Sequence, residues 1–312
     1  MTTTRNKNDV SQETSMHDDK TIGMIGTGIM GGPMARRLAR AGWRVKAWNR
    51  SRDKAAALCE VGNVTLADSP VEAAEDTAAV IVMLSSGPVC DEVLLGEAGA
   101  LAAMRPGSTL IVMSSIPVET ARTQAEAARQ CGVSYLDAPV SGGERGAIDG
   151  TLAIMAGGEA AAFEQAEPLL AELGRPVHVG PAGSGQLAKL ANQMIVANSI
   201  ATVSEALLLA ERGGADPARV REALQGGFAD STILRVHGQR MIEGDYAPGG
   251  PAKWQLKDTQ TAMALAEQLS LELPVSQLVN RLFHDHVAHG DGELDHSALI
   301  RELRRLNRLP VE

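Results

Sequence analysis

Aromatic residues are scarce, with three Phe, three Trp and two Tyr in a chain of 312 residues. Base-stacking platforms and aromatic sugar-binding grooves need more than that. Cysteine is nearly as rare. Cys59, Cys90 and Cys131 form an odd set with no close spacing, which argues against a disulfide framework and a structural zinc site and points to a reducing, cytoplasmic compartment. Positive charge is in deficit: 29 Lys plus Arg face 38 Asp plus Glu, a formal net charge of -9. No basic run offsets it, so neither nucleic acid nor an anionic membrane surface is an expected partner. Long apolar runs are missing too. The uncharged stretch Leu190 to Ser204 is shorter than the ~18 residues a membrane span wants and carries Asn192, Gln193 and Asn198. No membrane crossing is expected. The first twenty residues lack any apolar stretch and hold four acidic groups, so residues 1–19 read as a disordered tail rather than a signal or transit peptide.

What is present is the pattern of an α/β protein. The length suits two domains. TIGMIG, WRVKAW, TAAVIVML, STLIVM, VSYLDAP, LAIMAGG and PVHVG read as buried strands bounded by Gly, Pro, Ser or Asp. Helical patterns such as 34–41, 53–61 and 119–130 lie between several of them, which implies a mostly parallel sheet with helices on both faces. Beyond Gly183 the rhythm changes to helices over 186–212, 217–225, 257–269 and 274–289, stopped at Gly213-Gly214 and Gly226-Gly227. The expected organisation is a Rossmann-type cofactor-binding domain over 20–182 and an all-helical domain over 183–312. The 186–212 helix is apolar nearly all round, which predicts burial at a domain junction or between subunits.

Gly26-Thr27-Gly28-Ile29-Met30-Gly31 fits G-x-G-x-x-G between a strand and a helix. There Gly26 permits a tight turn, Gly28 lets backbone approach a pyrophosphate, and Gly31 permits close packing of helix on sheet. The helix N-terminus then offers free N–H groups to phosphate. The second strand ends at Asn49-Arg50-Ser51, where NAD enzymes place an acidic residue for the ribose hydroxyls. Asn49 does not repel a 2′-phosphate and Arg50 grips one, which places NADP ahead of NAD.

Asp137-Ala138-Pro139-Val140-Ser141-Gly142-Gly143 follows a strand and so lies at the carboxyl edge of the sheet. The Ser141 hydroxyl and the backbone N–H groups of Gly142 and Gly143 make a cradle for a small carboxylate. Lys189 stands one turn into the apolar helix. A lysine in low dielectric loses basicity and becomes a proton donor near neutral pH, and Asn192 and Gln193 share its helix face. His284-Asp285-His286 with His289 has the composition of a metal site, but His284 points away from the other two; a solvated helix end is expected, with no metal. Asp295-His296 reads as an N-cap or a subunit contact.

Together these segments resemble the β-hydroxyacid dehydrogenase family, relatives of 3-hydroxyisobutyrate and 6-phosphogluconate dehydrogenases. The resemblance runs from about Thr21 to Asn307 through GMIGTGIMGGPMARRLARAG, DAPVSGGERGAIDGTLAIMAGG, GSGQLAKLANQ and LKDTQTAMALA. It implies that Lys189 is the catalytic lysine and that Ser141, Gly142 and Gly143 hold the substrate carboxylate. It also implies that Asn192 and Gln193 are the paired amides beside the lysine. Lys257 and Asp258 match the lysine–aspartate step that closes over cofactor and substrate, Asp258 on the substrate side and Lys257 on the cofactor side. Leu84, Ser85 and Ser115 fall at cofactor contacts. A homodimer or homotetramer built on the helical domain is implied as well. KLANQMIVANSIATVSEALLLA, GGFADST and DHSAL look most like the tartronate semialdehyde reductase branch, which reduces 2-hydroxy-3-oxopropanoate to D-glycerate. A 3-hydroxyisobutyrate- or threonate-type dehydrogenase and a non-catalytic NADP-binding scaffold are the alternatives. Val196 stands where the decarboxylating relatives carry glutamate, and Gly250 where the family carries phenylalanine.

Overall fold

A computed structural model describes residues 20–311, so the tail expected over residues 1–19 lies outside the described residues. The first unit, ending at Gln186, is built on one nine-stranded sheet. Its strands are β1 (Thr21–Ile25), β2 (Arg44–Trp48), β3 (Val64–Leu66), β4 (Ala79–Val82), β5 (Thr109–Val112), β6 (Ser134–Asp137), β7 (Val140–Ser141), β8 (Leu152–Gly158) and β9 (Gly174–Gly180). The order is β3-β2-β1-β4-β5-β6-β8-β7, with β9 paired to β8. Strands β1 to β6 run parallel, β6 and β7 meet β8 antiparallel, and β9 returns parallel to β8. The order reverses between β1 and β4, and a crevice at the carboxyl ends opens at such a reversal.

Period-2 alternation fills both faces of this sheet. Ala79 and Ile81 of β4 join one core with Ile22, Met24, Met34 and Leu38. Val80 and Val82 join the opposite core with Ile25, Leu94, Leu101 and Tyr135. A strand buried on both sides reads as a continuous apolar run, which is why AVIV and TLIV were legible.

All seven expected strands are present, and two more appear. β3 is three residues long and β7 two, too short to carry a pattern. The helix expected from Met34 begins at Gly31, directly on the glycine loop. The helix expected over 53–61 divides into Arg52–Ala56 and a tight turn at Cys59–Val61.

The second unit runs from Leu187 and is helical, with a core of Ile200, Leu207, Met241, Val279, Phe283 and Leu299. Its helices include Pro217–Leu224, whose Asp216 cap accepts from Ala218 N at 2.9 Å, Ala252–Gln268 and Pro274–His286. The helix expected from Lys257 starts at Ala252, directly after Pro251. The one expected to reach His289 gives way to a wider turn over Val287–Asp291, where Gly290 takes φ +91°. The long helix Ser184–Arg212 begins in the first unit and continues into the second, so the units divide four residues later than the sequence boundary. By length and apolar content alone it passes as membrane-crossing. Its inward side instead fills the second core with Ala197, Ile200, Ala201 and Leu207. Within one chain its cover is partial, with Ile195 67% and Leu209 75% exposed.

Candidate active site

The glycine loop is shaped by two close approaches. Gly26 sits at φ +95°, and a Cβ on it would lie 2.3 Å from Met83 O. A Cβ on Gly31 would lie 2.0 Å from Gly26 O, so the first helical turn rests on the strand end. Gly28 differs: a Cβ there meets nothing within 4 Å. The space beside it is open at the start of the helix Gly31–Arg40, which has no side-chain cap. Thr27 Oγ1 is buried without a hydrogen-bond partner. Open backbone, uncapped amides and an orphaned hydroxyl fit a pyrophosphate-bearing cofactor. Ile29 is exposed and Met30 half-buried on the same loop.

Asn49 holds the loop. Its Oδ1 accepts from Thr27 N at 3.0 Å, and its Nδ2 donates to Ser51 O at 3.0 Å. Each end of the amide thus makes one bond to the protein. Ser51 precedes the helix Arg52–Ala56 without a side-chain capping bond. Arg50 is exposed with no partner among the described residues, whereas Arg52 pairs with Asp68. Leu84 and Ser85 follow β4, and Leu84 N donates to the buried Ser114 Oγ at 2.7 Å. Ser115, the neighbour of that anchor, is half-buried at the end of β5. The crevice edge thus collects the glycine loop, Asn49 to Ser51, Leu84, Ser85 and Ser115 on adjacent strand ends.

Ser141 ends β7, and Gly142 and Gly143 adopt φ +138° and +62°, both exposed. Sequence reasoning gave no role to two groups at the root of this loop, Asp137 and Gln186. Asp137 is 0% exposed and accepts from Gly183 N at 2.7 Å and Gln186 N at 2.8 Å. Burial pushes its carboxyl up to about 6, against the opposing effect of those backbone donors. The only early signal was the D in DAPVSGG.

The second unit supplies a separate constellation. Lys189 is half-buried on the long helix. Burial brings its pKa down to about 8; Asp258 opposes that fall and Lys257 adds to it. Asn192 Nδ2 donates to Gln193 Oε1 at 2.8 Å, and Gln193 Nε2 donates to Asp258 Oδ2 at 2.6 Å. Lys257 Nζ lies 3.0 Å from Asp258 Oδ1. Asp258 therefore has both oxygens engaged by protein, which makes it a holder of Gln193 and Lys257. The histidine-rich segment scatters: His284 pairs with Asp285, His289 with Glu302, and His286 is buried. Asp295 caps the turn His296–Ala298 by accepting from Ser297 N, as one sequence alternative held. It also receives Gly250 N at 3.0 Å, so Gly250 lies against the His296 ring.

Comparison with known proteins agrees with both units. Residues 21–181 match the NAD binding domain of 6-phosphogluconate dehydrogenase. Residues 183–303 match the NAD-binding domain of NADP-dependent 3-hydroxyisobutyrate dehydrogenase. The chain is 46% identical over 284 residues to 2-hydroxy-3-oxopropionate reductase of Escherichia coli K12, covering 90% of this chain and 96% of that one. It is 37% identical over 289 residues to 3-hydroxyisobutyrate dehydrogenase of Pseudomonas aeruginosa, covering 89% and 96%. Among solved structures, Mycobacterium tuberculosis 3-hydroxyisobutyrate dehydrogenase with L-serine superposes with a TM-score of 0.84 at 31% identity, covering 92% and 99%. A glycine loop at a Rossmann switch point, a basicity-lowered lysine and these relatives make the chain an NAD(P)-dependent member of the β-hydroxyacid dehydrogenase family.

Proposed function

We propose that this enzyme reduces tartronate semialdehyde (2-hydroxy-3-oxopropanoate) to D-glycerate, with NADPH as the hydride donor and Lys189 as the proton donor. The observation that carries the mechanism is Lys189 itself, half-buried with its pKa brought to about 8. The substrate assignment draws on the 46% identity to the reductase of Escherichia coli. When bound, NADPH would supply the hydride that reduces the carbonyl carbon. At pH 7 Lys189 is an ammonium group and gives its proton to the carbonyl oxygen as negative charge gathers there. The Asn192–Gln193–Asp258–Lys257 chain holds the groups beside the lysine in fixed orientation. Ser141, Gly142 and Gly143 take the substrate carboxylate, a role suited to an exposed loop with free amides at the start of the helix Gly143–Asp149. The amides of the Gly26–Gly31 loop hold the pyrophosphate. Arg50, solvent-facing and unpaired among the described residues, takes the 2′-phosphate and favours NADP over NAD.

Oxidation of a 3-hydroxyisobutyrate-type alcohol is the competing reading, because a lysine with a pKa near 8 accepts a proton almost as readily as it donates one. Lys189→Ala tests the shared mechanism. Turnover is expected to fall by about 10²–10⁴-fold, the usual worth of a positioned acid, while NADPH binding, read by fluorescence titration, is kept. Unchanged turnover would remove Lys189 from the chemistry.

A further inference from the structure

Helix N-termini leave amide groups unsatisfied, and a local Ser, Thr, Asp or Asn usually caps them. The helix that carries Lys189 is served differently. The amide just before it, Gly183 N, and one in its first turn, Gln186 N, donate to the two separate oxygens of Asp137, at 2.7 and 2.8 Å. Asp137 lies 46 and 49 residues earlier, at the end of β6. The Gln186 side chain adds a second anchor. Its Nε2 donates to Ser114 O at 2.9 Å, and its Oε1 accepts from Ile116 N at 3.1 Å. Backbone closes on backbone at the same point: a Cβ on Gly185 would lie 2.2 Å from Asp137 O and 2.4 Å from Met155 O.

A fully buried carboxylate is a costly way to cap a helix, and burial resists its ionisation. A local serine would satisfy the same amides at less expense. What a serine cannot do is tie the helix to the sheet, at the strand whose chain runs on through four residues to Ser141. Lys189 follows Gln186 by three residues, just under one helical turn, so a displacement of this first turn reaches Lys189 undiminished.

Taking Lys189 as the proton donor, we propose that Asp137 is a positioning residue for the reaction, seating the first turn of the helix that carries the lysine. Asp137→Asn preserves volume but sets an NH₂ group against one of the two backbone N–H donors. It is best read in a double-mutant cycle with Lys189→Ala, using turnover at saturating NADPH and substrate, with NADPH affinity measured in parallel. With Lys189 present, Asp137→Asn is expected to lower kcat on the order of 10²-fold, the cost of a misplacement near 1 Å. NADPH affinity stays within about threefold. In the Lys189→Ala background the same substitution is expected to change the residual rate by less than about threefold, because the group it positions is gone. An equal loss in both backgrounds, or no loss with Lys189 present, would overturn the proposal. Wild-type turnover by Lys189→Ala alone would instead overturn Lys189 as the acid, a distinguishable result. If Asp137→Asn does not fold, Gln186→Ala enters the same cycle, with the same pattern expected at smaller size.

Discussion

At the scale of single residues the account turns on one proton and one phosphate. Lys189 must be protonated to serve reduction, and its pKa lies near 8 because burial disfavours its charge. The reductive kcat is therefore expected to be flat below pH 7 and to decline as pH rises through about 8. The reverse oxidation should rise over the same interval. A reductive rate that holds beyond pH 10 would assign the proton to another group. Arg50→Ala is expected to weaken NADPH by about 10-fold or more while leaving NADH within about twofold, since a charge-assisted grip on phosphate is worth about 1.5–3 kcal/mol. Paired titrations of the two cofactors read this, and equal effects would refute it. Lys189, Arg50 and the glycine loop stand out in the sequence because local spacing marks them. The partners of Asp137 and Asp258 were not. Asp137 finds its donors 46 and 49 residues on, and Gln193 reaches Asp258 across 65 residues. Asn49 stands out in the sequence, but its bonds to Thr27 and Ser51 do not.

At the scale of elements, the two glycines at the middle and end of the phosphate loop have different work. Gly28→Ala meets no atom within 4 Å, so the folded protein should keep its thermal midpoint within about 3 °C while NADPH binding weakens. Gly31→Ala puts a methyl 2.0 Å from Gly26 O and should cost about 2 kcal/mol or more in the cofactor-free protein. Thermal unfolding with and without NADPH separates the two, and similar midpoints for both variants would contradict this division. Strands β4 and β5 were legible because burial on both faces makes them continuous apolar runs. β3 and β7 were not, since two or three residues beside turns and Pro139 carry no period. The helix Ser184–Arg212 is present as expected, and its apolar surface is only partly covered within one chain. Apolar composition says that a face seeks cover, but not that one chain provides it, and Ile195 and Leu209 remain open.

At the scale of the molecule, a Rossmann unit carries the cofactor loop and the Ser141 loop, and a helical unit carries Lys189 with its amide and carboxylate neighbours. The long helix is the element common to both. The family is evident from four separated segments and from relatives spanning nearly the whole chain; the substrate depends on the shape of the binding pocket, which composition and spacing do not encode. The most direct measurement is therefore turnover by the purified protein, as loss of NADPH or NADH absorbance, with tartronate semialdehyde, methylmalonate semialdehyde, succinate semialdehyde and glyoxylate each offered in turn. The account predicts the highest kcat/KM for tartronate semialdehyde with NADPH, by about 10-fold or more over NADH. Preference for methylmalonate semialdehyde with NADH, or no turnover of any substrate despite tight NADPH binding, would contradict it.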